Sequence, residues 1–357
     1  MAVDPLAGLR FFVTARPSEP QLRTAMDAVF RNGLRSRRTP ATLRSRSRRR
    51  IRSKPTEEKR MPLFHRCDGE PVPNLDPIRR MMPLIMRGRN HSAVYHTTRW
   101  EIGRARIWLR NYNRDRGEKP HATLFHLVFY ASGRILHARP GLNRFVAGGR
   151  IYQRRGVFLS FAVKTRLEED APLTTAKLAF PEDLSFDECV DRIAEAVSEG
   201  RSGRASRIER EVRFLTRLPM PVLRAVVAAG ELLDRFSLLP ASLIDPDPMY
   251  SSMFLANLGS IHIDNAFHHL YEHGTCSLFG VVGKPRRQLD LDSSGRPAMR
   301  EVLQAQWTFD ERINDGFYCV ESLETLRRIV EDPQRYVVCL PGCVLGAEEG
   351  SSRVPLS

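Results

Sequence analysis

The stretch that most constrains the fold lies near the C-terminal end of the chain and reads WTFDERINDGFY, residues 307–318. An apolar, strand-like run precedes it, and an amphipathic run typical of a helix follows Gly316. Acidic, basic and amide side chains stand between the two runs. The order predicts a strand, a tight charged corner and a helix. The corner is either a solvated turn or the end of a strand that presents an acid to a substrate.

The charge of the chain is divided unevenly along its length. The formal net charge is +15 over 357 residues, but residues 1–60 alone hold 16 Lys or Arg against 5 Asp or Glu. This Arg- and Ser-rich tail lacks apolar periodicity, which predicts a disordered segment. Three interpretations stay open: a start codon assigned too early, with the protein beginning near Met61, a solvated or nucleic-acid-binding arm, or a targeting peptide.

The remaining chain is predicted to form one domain over residues 61–335, followed by a C-terminal tail at 336–357. A segment at about 201–250 is basic, then apolar and helical, and contains five prolines, which suggests a helical insertion. Its apolar run over 214–244 is interrupted by charges and proline, so it cannot span a bilayer as one helix. It remains a weaker candidate for contact with a membrane surface.

The six cysteines are scattered and include no CxxC pair. Several lie in apolar segments, so we expect reduced, buried thiols in a cytoplasmic protein. Cys339 and Cys343 have a CxxxC spacing, for which a redox or metal role is the weaker alternative.

Hydrophobic periodicity predicts both helices and strands without regular alternation. The expected helices lie within 71–90, 123–139, 184–199 and 317–332, the second of them mostly apolar and about 16 residues long. Asn74 or Asp76 is expected to cap the first helix, and Ser185 and Glu188 to form a capping box at the third. Strands are expected within 92–103, 149–156, 157–167, 251–259, 276–284 and 302–310. The pattern predicts an α/β two-layer sandwich with a mixed β-sheet.

The order of six motifs resembles the catalytic domain of the dihydrolipoamide acyltransferases of 2-oxo-acid dehydrogenases, which is similar in fold to chloramphenicol acetyltransferase. The motifs cover roughly residues 70–335 apart from the insertion, and they are LDPIRRMM, RPGLNRF, SFAVKT, FLANLGSIHID, CSLFGVVGK and TFDERINDGFYCVESLETLRRIVEDP. The resemblance implies a homotrimer with active sites between subunits. It also implies acyl transfer between the thiols of coenzyme A and dihydrolipoamide.

The chemistry of this family needs a base that removes the proton of a thiol and a donor that stabilises an oxyanion. The family supplies them from the histidine of a DHRxxDG motif and from a hydroxyl before an NLG-like tripeptide. Here the corner carries Glu311 at the histidine position, and Ala256 stands at the hydroxyl position. Glutamate, with a reference pKa of about 4.3, is a weak base for a thiol unless burial raises that pKa toward 6–7. The alternative for Glu311 is a salt bridge to Arg312 or to a neighbouring subunit.

Other residues take their expected roles from the same resemblance. Asn257 could donate its amide N–H to the oxyanion, or it is a turn residue after a strand. The aspartate of the motif pairs with an arginine in relatives, so Asp315 is expected to pair with Arg79 or Arg80. Together with Arg312, Gly316 and Ala256, the two arginines make up the expected structural residues of the site.

A cluster of histidines follows the NLG motif, at 262, 268, 269 and 273. His269 is a candidate substitute for the missing base. On a helix, His269 and His273 would share one face and could bind a metal with Asp264 or Glu272, but hydrogen-bonded loop histidines are the favoured interpretation, so no metal site is expected.

Two functions from different classes follow. The first is a stand-alone acyltransferase that uses coenzyme A or an acyl-CoA as substrate, with Glu311 in place of histidine and an external acceptor, because no lipoyl-bearing segment is recognisable in residues 1–70. The second is a catalytically inactive descendant that serves as a binding or scaffolding protein. In a third and weaker hypothesis, the Arg-rich tail is the functional part, and the protein binds nucleic acid through residues 1–60.

Overall fold

The computed structural model describes residues 66–164, 173–202, 207–264, 266–292 and 294–337. The tail at 1–60, Cys339, Cys343 and most of the predicted C-terminal tail lie outside these residues. The residues described all belong to one compact unit that starts at Arg60.

The larger of two sheets is mixed, as the sequence predicts. Its strands follow the order β2-β10-β8-β7-β5-β6, and β9 pairs with the first half of β10. β7 runs parallel to β5 and β8, and the other pairs are antiparallel. The strands are β2 (Ala93–Glu101), β5 (Phe158–Lys164), β6 (Leu173–Ala179), β7 (Met253–Asn257), β8 (Leu278–Val282), β9 (Arg286–Leu291) and β10 (Pro297–Asp310).

Four helices cover one face of this sheet and form the main core with it. Apolar and polar side chains alternate along β10, so one face of the strand is apolar. Ala305, Trp307 and Phe309 point into this core, whereas Gln306 and Thr308 lie on the other face. Side chains from all four helices are buried there, and the helices are α2 (Gly103–Arg116), α3 (Leu124–Ala138), α4 (Phe186–Arg201) and α8 (Gly316–Glu331).

A smaller antiparallel sheet contains β1 (Gly69–Pro71), β4 (Arg150–Arg154) and β3 (Arg144–Ala147), in that order. The β3–β4 hairpin turns through Gly148 and Gly149, whose φ angles are +55° and +75°. A Cβ on Gly148 would lie 2.2 Å from the carbonyl oxygen of Arg235. Glycine is therefore needed there both for the backbone conformation and for the close approach of the chain at 235.

The predicted insertion contains three helices, α5 (Arg207–Leu215), α6 (Met220–Arg235) and α7 (Ala241–Ile244). None of the residues of α6 is buried, although most of them are apolar. Its C-terminal end contacts the smaller sheet, where Asp234 accepts a hydrogen bond of 2.8 Å from the buried Arg66. Within the residues described, no helix is long and apolar enough to cross a membrane.

Most of the expected elements are confirmed, with differences in detail. Asp76 caps α1 (Pro77–Ile85), and Ser185 and Glu188 form the capping box of α4. Helix α4 continues through Gly200 to Arg201, past the expected end at residue 199. The apolar residues of α1 do not enter the core, because Ile78 and Ile85 remain 69% and 67% exposed. A short helix, α9 (Pro333–Tyr336), follows α8.

The predicted burial of the cysteines is confirmed for three of the four that the structure describes. Cys189, Cys276 and Cys319 are buried free thiols, and Cys67 is a partly buried one. Burial raises the pKa of Cys276, so this thiol stays protonated near neutral pH.

Candidate active site

The corner between β10 and α8 is built on a buried ion pair. Asp310, the last residue of β10, is fully buried and accepts hydrogen bonds from Arg312 Nε at 2.8 Å and Nη2 at 2.7 Å. Ser92 Oγ donates to the same carboxylate at 2.9 Å. Arg312 also donates to the carbonyl oxygens of Met86 and Arg87, at 3.2 and 3.3 Å. These contacts fix the corner to the segment that precedes β2.

Glu311 stands between these paired residues and is held through its backbone. Its amide donates to the carbonyl oxygen of Ser92 at 2.9 Å, and its carbonyl oxygen accepts from Arg79 Nη1 at 2.5 Å. The side chain is partly exposed, and no hydrogen bond or ion pair joins its carboxylate to another described residue. The alternative in which Glu311 pairs with Arg312 within the chain is wrong, because Arg312 binds Asp310. The carboxylate is therefore free to meet a substrate or a second copy.

Asp315 plays a different part from the expected one. Its Oδ1 accepts from the amide of Tyr318 at 2.8 Å, which makes Asp315 the N-cap of α8. Among the residues described, no ion pair joins Asp315 to Arg79 or Arg80. The expected pairing is thus corrected: Arg79 binds the Glu311 carbonyl instead, and Arg80 is exposed. Gly316 begins the helix.

The NLG motif lies at the other end of the sheet. Ala256 and Asn257 end β7, and a 3-10 turn at Leu258–Ile261 follows. Ala256 is opposite Val281 on β8, which is opposite Gln306 on β10. Gln306 is five residues before Glu311. Ala256 and Glu311 are therefore displaced by two strands across the sheet and five residues along it, which gives a separation of roughly 20 Å. One chain alone does not bring Glu311 and Asn257 together.

The histidine cluster forms a loop on the face of the sheet that the helices leave open. The segment 266–277 contains no helix, so the arrangement of His269 and His273 on one helical face is wrong. The His268 ring stacks on Phe279 with centroids 3.9 Å apart, and the His268 carbonyl accepts from Thr308 Oγ1 at 2.6 Å. Burial lowers the pKa of His268. His268 is therefore a packing residue, whereas the exposed His273 pairs with Asp247 at 2.8 Å.

Among the residues that the structure describes, no contact joins His269 to the corner. Its Nδ1 is 3.0 Å from the carbonyl oxygen of Leu270, and its ring stacks against His268. Thr308, which anchors the loop, is three residues before Glu311, or about 10 Å along the strand. Within the residues described, no group of three His, Cys, Asp or Glu side chains could hold a metal ion.

Among the comparisons with known proteins, only the comparison with solved structures finds similar proteins, and it supports the fold. No family model matches the chain, and no curated protein matches its sequence. A probable dihydrolipoamide acetyltransferase from Listeria monocytogenes superposes over 76% of this chain and 98% of its own, with a TM-score of 0.52 and 13% identity. The chain has the dihydrolipoamide acyltransferase fold.

Two further structures are similar at a lower level. An Azotobacter vinelandii dihydrolipoamide acetyltransferase is 16% identical over 74% of this chain and 98% of its own, with a TM-score of 0.49. A chloramphenicol acetyltransferase is 16% identical over 74% of this chain and 98% of its own, with a TM-score of 0.44.

In this acyltransferase fold, three residues that hold the corner were not among those expected at the site. Asp310 stands directly before Glu311 in the sequence, but its sequence position alone does not indicate its role. Ser92 precedes a strand and carries no motif of its own, so only the pairing of β2 with β10 reveals it. Arg89 is buried and donates to the carbonyl oxygens of Tyr271 and Glu272, which ties the histidine loop to the same segment.

Proposed function

We propose that this chain is a coenzyme A-dependent acyltransferase in which Glu311 replaces the usual histidine as the general base. The observation that carries the proposal is the free carboxylate of Glu311, held at the strand-to-helix corner by the Ser92 and Arg79 contacts. A charged side chain without a partner at a rigid, partly buried corner is the arrangement that a proton acceptor needs.

For a thiol acceptor, the proposed step runs as follows. The thiol gives its proton to the Glu311 carboxylate as its sulfur bonds to the carbonyl carbon of the acyl-CoA, and the carbonyl electron pair moves onto oxygen. The amide N–H of Asn257 donates to this oxyanion. Collapse of the intermediate breaks the bond to the coenzyme A sulfur, and the leaving thiolate takes the proton from Glu311.

The proposal requires a second copy of the chain. Because Glu311 and Asn257 lie roughly 20 Å apart within one copy, Asn257 would come from a neighbour. This arrangement agrees with the homotrimer and the intersubunit sites that the resemblance implies. Coenzyme A or an acyl-CoA is then a substrate, not a resident cofactor, and the acceptor comes from outside the chain.

The experiment is acyl-CoA turnover by the purified chain with a panel of acyl groups. General-base catalysis typically contributes 10²–10⁴-fold, so Glu311→Gln is expected to lose about that factor. Glu311→His should retain or increase the activity, because histidine is the family's base. Glu195→Gln, an exposed change on α4, is the matched control. Absence of turnover from every acyl-CoA by the folded, assembled wild type would exclude this proposal.

The second candidate function is a catalytically inactive binding or scaffolding protein, and α6 supplies the observation that favours it. Leu223, Gly230 and Asp234 are its only partly buried positions, whereas Val226 and Leu233 are 41% and 42% exposed. The helix therefore contacts the body along a narrow stripe and presents a wide apolar face outward. Loss of partner binding in Val226→Glu/Leu233→Glu, together with inactivity of the wild type, would support this function.

A further inference from the structure

Three arginines gather beside the corner without a carboxylate partner. Arg79, Arg139 and Arg144, named here the arginine cluster, are all partly buried. Among the residues described, none of the three forms an ion pair with Asp or Glu. By contrast, the partly buried Arg116 and Arg300 form ion pairs with carboxylates, Arg116 with Asp187 at 3.2 Å and Arg300 with Glu101. Unpaired guanidinium groups in a partly desolvated position are expensive unless an anion binds them.

Tyr318, in the first turn of α8, connects the cluster. The Arg139 guanidinium lies 4.2 Å above the centre of the Tyr318 ring and donates through Nε to Ser322 Oγ at 3.1 Å. The Tyr318 hydroxyl accepts from the amide of Gly141 at 3.2 Å. Arg144 lies within electrostatic range of both Tyr318 and Arg79. The three cations therefore lie near the first turn of α8, in the same region as the carboxylates of Glu311 and Asp315.

Arg144 is the member with the least support from the protein. Its Nε is buried, and no described residue accepts a hydrogen bond from it. Arg144 is opposite Gln153 on β4, and Gln153 is opposite Glu70 on β1, but Glu70 pairs with Arg155 at 3.2 Å. Burial lowers the pKa of Arg144, and the repulsion from Arg79 acts in the same direction. A bound anion would relieve both effects.

We propose that the arginine cluster binds an oxyanion of the acyl donor, with Arg144 as the principal contact. The planar guanidinium matches phosphate and carboxylate through paired hydrogen bonds. Two sources share this chemistry: a phosphate of coenzyme A, and a carboxylate at the far end of a dicarboxylic acyl group. The identity of the donor rests on the proposed acyl transfer, whereas the presence of an anion site does not.

The first experiment measures the anion site without reference to catalysis. The melting temperature of the full chain is followed with increasing inorganic phosphate in wild type, Arg144→Gln and Arg150→Gln, the last an exposed position in the same hairpin. A ligand that binds only the folded state raises the melting temperature, and general salt effects appear equally in all variants. Arg144→Gln alone should lose the specific increase. Equal increases in both variants would overturn the proposal.

The second experiment identifies the source of the anion by equilibrium binding. Coenzyme A, 3′-dephospho-coenzyme A, acetyl-CoA and succinyl-CoA are titrated into the same variants. Loss of charge-assisted hydrogen bonds predicts about 10- to 100-fold weaker binding to Arg144→Gln. If only succinyl-CoA binds more weakly to Arg144→Gln, the bound anion is the carboxylate of the acyl group. If all four compounds bind more weakly, or all except 3′-dephospho-coenzyme A, the bound anion is a phosphate of coenzyme A. Arg144→Lys should recover only part of the affinity, because it keeps the charge without the fork.

The two proposals fail in different ways. Phosphate binding through Arg144 without binding of any coenzyme A compound supports the anion site and contradicts acyl transfer. Tight binding of coenzyme A compounds that is equal in Arg144→Gln and Arg150→Gln contradicts the anion site and leaves the acyl transfer intact.

Discussion

The guanidinium of Arg312 holds the carboxylate of Asp310 through two parallel hydrogen bonds, Nε to Oδ1 at 2.8 Å and Nη2 to Oδ2 at 2.7 Å. Both side chains are almost completely buried. Glu311 lies between them in sequence and points elsewhere, so the pair positions the proposed base without consuming its charge. The corner is thus a rigid support with one free acid, which differs from an ordinary solvated turn.

Removing one partner of this pair should destabilise the fold. Asp310→Asn leaves the Arg312 charge buried without a carboxylate, which typically costs about 3–5 kcal/mol of unfolding free energy. The measurement is urea unfolding. Glu324→Gln serves as the control, because the Glu324–Arg327 pair is partly exposed and such pairs contribute about 1 kcal/mol or less. Similar decreases in unfolding free energy in the two variants would show that the buried Asp310–Arg312 pair does not stabilise the corner.

The role of Asp315 as a helix cap has its own test. Asp315→Ala should lower the unfolding free energy by about 0.5–2 kcal/mol, because the amide of Tyr318 loses its acceptor. Asp315→Asn keeps an acceptor of the same shape and should cost clearly less. If asparagine were as harmful as alanine, the negative charge would matter more than the cap. An ion pair with Arg79 would then have to be reconsidered.

Stability should depend on pH through His273. The hydrogen bond to Asp247 Oδ2, at 2.8 Å, raises the pKa of His273 above its usual value. A group whose pKa is raised by folding stabilises the fold below its unfolded pKa, and this contribution disappears as the pH rises through the folded pKa. His273→Gln should therefore destabilise the protein more at pH 5.5 than at pH 8.5, by a small amount because the imidazole is 59% exposed.

Urea unfolding of wild type and His273→Gln at the two pH values, roughly one to two units on either side of the reference pKa, measures this difference. The control is His91→Gln, a substitution at an exposed histidine that forms no ion pair with a described residue. An equal loss at both pH values would mean that His273 contributes by packing against Tyr250 rather than by charge.

The sequence predicts those parts of the fold that depend on local periodicity. The apolar helix at Leu124–Ala138 and the strand at Phe158–Lys164 bury most of their residues, so their patterns are continuous. Helix Gly103–Arg116 escaped prediction because only Ala105, Leu109 and Tyr112 are buried among many arginines. The short strand Arg144–Ala147 is not predicted from the sequence, since its order comes from pairing with β4 rather than from its own four residues.

The candidate site divides in the same way. Glu311 could be found from the sequence because the surrounding corner motif is continuous. The contacts of Ser92 and Arg79 that hold Glu311 in place could not be found from the sequence, because they join segments more than 200 residues apart in the chain. The Arg79–Asp315 pairing was wrong for a related reason: a family pattern gives the residues but does not give the backbone group that one of them binds.

The central claim, that Glu311 of one copy and Asn257 of another form a single site, is tested most directly by mixing two inactive variants. Glu311→Gln should lose about 10²–10⁴-fold in turnover, and Asn257→Ala about 10²–10³-fold. Co-expressed in equal amounts, the two chains assemble at random, so roughly a quarter of intersubunit sites would contain both native residues. We predict turnover near a quarter of the wild-type value in the mixture. Mixed assemblies no more active than the separate variants would contradict the claim.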